Sequence, residues 1–155
     1  MTIEQRQSLM RIISHLCALG VAGFFLYAAI TKVYYDQRQF AIEISNYRIL
    51  PKEFVNLPAI LMPWLEIGAA LALLAPFSRR AGAILIGGML LAFIAAISYS
   101  ALYLGLKIEC GCTGKGGGEA GWLTIGRNTL LLAGTLLSVI LYARANRSGT
   151  VPGMA

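Results

Sequence analysis

The sequence predicts an all-α integral membrane protein, a bundle of four transmembrane helices with a short interfacial helix after the first span. Three observations carry that reading. Of the 155 residues, 57% are hydrophobic and 13% charged, against about 25% charged in a soluble domain. The mean hydropathy is +0.69. The apolar residues fall into four runs, three of about the 20 residues a helix needs to cross a bilayer and a fourth that reaches that length only by taking in Arg127, with the charges gathered mainly between them. The formal net charge is +6. The basic residues stand in small groups between apolar spans and form no single stripe, so they mark topology and not nucleic acid. The partner that this composition implies is the lipid bilayer.

Taken in order, a polar start over residues 1–11 precedes the first span, about 12–33. Arg6 and Arg11 ahead of an apolar run also fit the start of a signal peptide, but this run exceeds the 7–15 residues usual for that segment, so a retained helix is expected. His15 and Cys17 on it read as packing residues, the histidine hydrogen-bonded and the cysteine behaving as a small apolar side chain. Residues 34–57 hold Asp36, Arg38, Glu43, Arg48, Lys52 and Glu53. Phe40, Ile44 and Tyr47 recur there at helical spacing. That pattern fits an amphipathic helix lying in the interface and stopped by Pro51, with a solvated loop as the alternative.

The second span, about 58–76, carries Glu66 inside it. Phe77-Ser78-Arg79-Arg80 reads as a tight basic turn. The third span, about 81–106, is rich in glycine and alanine, and Gly82, Gly87 and Gly88 are expected to let helices approach closely. The fourth span, about 121–143, starts at Trp122 as an interfacial anchor and takes Arg127 into the membrane, since residues 129–143 alone are too short to cross. The whole chain reads as one four-helix membrane domain.

Arg6, Arg11, Arg79, Arg80, Arg144 and Arg147 lie on one side of this threading against the single acid Glu4. The positive-inside rule makes that side, with both termini, cytoplasmic, and puts Cys110 and Cys112 on the periplasmic or exterior face. Lys32, Glu66 and Arg127 then all fall in the outer half. Ionisable groups at such depth usually pair, so Glu66 is expected to meet Arg127 or Lys32. Such a pair fixes helix packing or handles protons.

The chemistry-bearing stretch is Glu109-Cys110-Gly111-Cys112-Thr113-Gly114, on the opposite, oxidising side. Thiols one residue apart have Cα atoms roughly 5.5–7 Å apart, near the limit for a disulfide, so a bridge between them is strained and easily reduced. Gly111 permits the tight backbone, and Gly116-Gly117-Gly118 adds mobility. Lys107 and Lys115 favour the thiolate and Glu109 opposes it. Two inert thiols, or two soft metal ligands, are the alternatives. A closed zinc site needs four ligands, and Cys17 and His15 lie at the other end of the bundle, so no metal is expected. Gly114-Lys115 lacks the other positions of a phosphate loop.

Phe24-Phe25-Leu26-Tyr27 with Thr31-Lys32, then Phe40, Asn46-Tyr47-Arg48-Ile49-Leu50-Pro51, Pro63-Trp64-Leu65-Glu66, Cys110-Gly111-Cys112 and Arg127-Asn128, in that order, resemble the MauE family of methylamine-utilisation membrane proteins within the wider DoxX-like group. The resemblance implies a four-helix inner-membrane protein that serves maturation of a periplasmic amine dehydrogenase whose small subunit is dense in disulfides. It also implies a periplasmic thioredoxin-like partner. Two function classes follow. In one, Cys110 and Cys112 are a redox pair, with Glu66, Arg127 and Lys32 in support and a membrane quinone as candidate electron acceptor or donor. In the other, the chain is a non-catalytic scaffold or assembly subunit, DoxX-like, of the kind found in a quinone-linked respiratory complex. Small-solute transport is weaker, because no inverted repeat supplies a midplane site.

Overall fold

The computed structural model describes residues 2–34, 37–46, 51–99 and 122–147. Among these the chain forms α1 (Ile3–Tyr34), α2 (Gln37–Asn46), a short 3-10 turn at Lys52–Phe54, α3 (Asn56–Leu74), α4 (Arg79–Ser98) and α5 (Trp122–Arg147), with no strand. α1, α3, α4 and α5 are each long and apolar enough to cross a membrane. α1 and α4 both pack on α3 and α5, giving an antiparallel four-helix ring in which α1 and α4 stand diagonally. The four-helix membrane bundle expected from the apolar runs is the fold observed.

Helix extends past the expected spans, back to Ile3 in α1 and on to Arg147 in α5, and at two further boundaries the difference has a local reason. α3 begins at Asn56, ahead of Pro58, because proline is tolerated in the first turn, where its missing N–H has no intrahelical partner anyway. α4 begins at Arg79 and not after the Arg79-Arg80 pair, leaving residues 75–78 as the whole connection. Ser78 Oγ donates to the Ala72 carbonyl at 3.0 Å and Arg79 Nε to the Leu73 carbonyl at 3.2 Å, so the start of α4 satisfies carbonyls orphaned at the end of α3. The stretch after the first span is helical at α2, which decides between interfacial helix and loop, and Phe40 on it is buried.

Large apolar side chains cover the outside of the bundle, and small ones are frequent at its helix contacts. Leu16, Trp64, Ile84, Leu123 and Leu130 are exposed, whereas Ala18, Ala22, Ala29, Ala69 and Ala70 are buried. In lipid no hydrophobic force drives helices together, so close contact through small side chains, with polar groups facing inward, is the stable arrangement. Leu73, Ile86, Leu90 and Phe25 fill the centre between those alanines. Gly82 sits against the backbone of α3, as expected of a close approach, while a Cβ on Gly88 would meet open space. Cys17 is half-buried and not in the core.

Buried polar residues collect in two layers. One contains Ser14, Arg79 and Ser138, the other Lys32, Glu66 and Asn128. Ser14 and Lys32 are eighteen residues apart on α1, about 27 Å at a rise of about 1.5 Å per residue. That distance is close to the thickness of a bilayer's hydrocarbon core, about 30 Å. On α5, however, Asn128 and Ser138 are only ten residues apart, about 15 Å, because the long Lys32 side chain reaches back along the bundle toward Glu66; both layers therefore lie inside the bundle, one toward each end.

Candidate functional site

The layer at the α1 C-terminal end is built around Lys32. Its ammonium group is a donor on the last turn of α1, where a cation also complements the helix dipole. It forms a buried salt bridge and hydrogen bond with Glu66 Oε1, on the third turn of α3. Both residues are nearly sequestered, at 3% and 2% exposure. The ammonium also stands 4.8 Å from the ring centroid of Phe40 on α2 and 5.7 Å from that of Phe93 on α4. Aromatic faces attract a desolvated cation. One lysine therefore draws α1, α2, α3 and α4 together. Thr31 beside it turns its hydroxyl back to the Ala28 carbonyl at 2.8 Å, leaving no donor of its own in the layer unpaired.

Glu66 keeps one oxygen for the interior. Its Oε2 and the Nδ2 of Asn128, both buried, have no hydrogen-bond partner among the described residues. Both residues line a small cavity with Phe24, Phe25, Leu90 and Phe93. Its free volume is about 10 Å³, the scale of a single water position, and an acceptor and a donor on its wall suit a water or a transferred proton. The carboxylate thus has the environment of a proton-handling group as well as that of a packing pair.

Of the sequence-predicted residues, the structure brings Lys32 and Glu66 together and sets Arg127 apart from that contact. The Arg127 guanidinium lies over the ring of Phe24, 5.2 Å from its centroid, and is half-buried. Lys32 prevails because it reaches Glu66 from the adjacent helix α1, while the position of α5 facing this layer is taken by Asn128. Cys110 and Cys112 lie outside the described residues, as do Lys107, Glu109 and Lys115.

The second layer was not legible as a site. Arg79 is 2% exposed and not a surface charge of the turn. Its Nη1 donates to Ser14 Oγ at 2.9 Å and its Nη2 lies 2.9 Å from His15 Nδ1. The ring of Tyr142 sits 4.3 Å from the guanidinium carbon and packs edge-on against His15. Ser14 in turn donates to the Ser138 carbonyl at 2.7 Å. Arg79 thus ties all four spanning helices toward one end, whereas Lys32 joins three of them and α2 toward the other, and His15, though exposed, is hydrogen-bonded as expected. The available signal was an arginine abutting an apolar run that begins opposite Ser14-His15.

Residues 10–142 match the family described as "Methylamine utilisation protein MauE". A protein of that name from Methylophilus methylotrophus is 34% identical over 128 residues, covering 83% of this chain and 65% of that protein. The Methylorubrum extorquens protein of the same name is 34% identical over 102 residues, or 65% of this chain and 54% of the relative. That from Paracoccus denitrificans is 28% identical over 114 residues, or 73% and 61%. The chain spans less than two thirds of the length of these relatives. No solved structure gives a significant match. The family match runs unbroken from four residues before Ser14, through Lys32, Glu66 and Asn128, to Tyr142; with both polar layers inside it, this multi-pass membrane protein belongs to the MauE family.

Proposed function

We propose that this chain is an accessory membrane protein of methylamine utilisation that exchanges thiols and disulfides during maturation of a periplasmic amine dehydrogenase small subunit, together with a thioredoxin-like partner. The observation that carries the reading is the pair Cys110 and Cys112 within residues 100–121, the segment joining the end of α4 to the start of α5. Those two helix ends belong to the edge of the bundle that holds Lys32 and Glu66. The names of the relatives supply the metabolic setting.

The exchange itself balances without a further reagent. A partner thiolate attacks one sulfur of the Cys110–Cys112 disulfide; the S–S bond breaks, a mixed disulfide forms and the other cysteine leaves as thiolate. The partner's second thiolate then attacks the mixed disulfide, so the partner ends oxidised and Cys110 and Cys112 end as a dithiol. Two electrons have moved, and the two protons of the partner's thiols are accounted for on the cysteines. Run backwards, the same steps reduce the partner. In this reading Lys32 and Glu66, with Arg127 nearby, hold the helix ends that carry the cysteine segment, and Glu66 Oε2 is a station for a proton.

Cys112→Ser should trap Cys110 in a mixed disulfide with the partner, seen as an adduct that disappears on reduction. Replacing both cysteines by serine should reduce maturation of the dehydrogenase to background. Absence of an adduct from either single variant, together with full maturation by the double variant, would leave the scaffold reading in its place.

The reading also requires an inner-membrane protein with cytoplasmic termini. A periplasm-dependent reporter fused after Gly117 should be active and one fused after Arg80 silent. The reverse pattern would put the cysteines in the reducing compartment and end the proposal.

A further inference from the structure

The Arg79 layer poses a charge problem that the described chain leaves open. A buried guanidinium costs several kcal/mol of desolvation unless an opposite charge offsets it. Arg79 has a carbonyl, a hydroxyl, an imidazole and an aromatic face around it, but no carboxylate. The acid nearest along α1 among the described residues is Glu4, ten residues before Ser14, or about 15 Å along the helix. Arg6, Arg11, Arg80 and Arg144 share this end of the bundle. Net positive charge at a membrane edge attracts anions at about 1 kcal/mol per basic residue.

Beside Arg79 the surface is concave. Phe77, Arg79, Arg80, Tyr142 and Asn146 line a groove of about 440 Å³ between the α3–α4 turn and the last turns of α5. Arg80 and Asn146 on its rim are exposed and carry N–H donors, while Phe77 is 93% exposed. Phe77 and Arg80 stand at the short connection between two candidate spans, α3 and α4, so an exposed phenylalanine here belongs beside acyl chains, and the donors next to it lie at headgroup depth. Cationic and amide donors next to an apolar side chain match a molecule that is anionic at one end and aliphatic at the other.

We propose that this groove binds the phosphate headgroup of an anionic phospholipid, with Arg80 and Asn146 donating to the phosphate oxygens, Phe77 packing on the acyl chains and the lipid's charge offsetting Arg79. The site is independent of the cysteine chemistry and stands or falls separately.

The test uses the full chain purified in neutral detergent, with phosphatidylglycerol, phosphatidylcholine and inorganic phosphate as probes. Native mass spectrometry should show phosphatidylglycerol retained over phosphatidylcholine, and phosphatidylglycerol alone should raise the melting temperature. Arg80→Gln and Asn146→Leu, both at exposed positions, should each weaken retention about five- to tenfold, the effect of about 1 kcal/mol or slightly more. Arg11→Gln, at the same end but off the groove, should leave it within twofold. Equal retention of the two lipids, equal loss in Arg11→Gln, or equal stabilisation by millimolar inorganic phosphate would each overturn the proposal.

Discussion

Replacing Lys32 by methionine is expected to destabilise the bundle by about 3–5 kcal/mol, the usual cost of removing one partner from a buried ion pair. Lys32 and Glu66 are both almost fully enclosed, and the variant would leave a carboxylate facing Phe40, Phe93 and the cavity wall. Glu66→Leu should be costly for the mirror reason, stranding the ammonium. The double variant Lys32→Met, Glu66→Leu removes both charges and replaces them by apolar groups of similar size, so most of the lost stability should return, with a coupling energy of up to about 3 kcal/mol. Unfolding in mixed micelles measures this directly. A Lys32→Met protein within about 0.5 kcal/mol of the parent would show that the pair does not hold the bundle. Under the proposed function, maturation of the dehydrogenase by the double variant then separates a packing role of Glu66 from a chemical one. If stability returns without maturation, the carboxylate serves chemistry; if both return, it serves packing.

The sequence revealed the four spans because lipid leaves little choice: backbone polar groups must be paired within each span, so apolar length announces a helix. It also revealed that Glu66 needs a partner, since an isolated charge at that depth is too costly. It did not reveal which partner. Lys32 and Arg127 both lie within reach in a threading diagram, and the choice depends on the rotation of α1 and α5 about their axes. Helix faces are weakly marked here because Leu and Ile occur on the exterior and in the core alike, so little amphipathic contrast exists to read. Arg79 was hidden for a different reason. A basic pair after a span reads as an exposed turn, and Arg80 is exposed; one residue earlier, the same side chain type points inward to Ser14 and His15. The roles differ by the 100° between successive helical positions, which no count of charges resolves. The cysteine pair, conversely, is evident from sequence and lies outside the described residues.

Gly82→Ala should be as damaging as the loss of a charge, although it adds a single methyl group. A Cβ at Gly82 would lie 2.7 Å from the carbonyl carbon of Ala72 and 2.8 Å from Cα of Leu73. Both are backbone atoms of α3, so no side-chain rotation relieves the overlap and the two helices must separate. Separation is resisted where it would occur. The connection between α3 and α4 is residues 75–78, and Ser78 Oγ and Arg79 Nε bind the carbonyls of Ala72 and Leu73 at the same contact. Moving α4 away therefore strains those bonds, loosens the fully buried Leu73 and Ile86 and exposes carbonyls that lipid cannot satisfy. Overpacking of a tight core costs about 1–3 kcal/mol, and loss of one hydrogen bond to the charged Arg79 adds about 1.5–3 kcal/mol. Gly88→Ala is the control on the same helix. With nothing within 4 Å of its Cβ, it should be neutral or should stabilise α4 by up to about 1 kcal/mol through helix propensity. Unfolding of both variants in the same micelles decides the matter: a Gly82→Ala protein as stable as Gly88→Ala would mean that α3 and α4 do not meet backbone to backbone at this glycine.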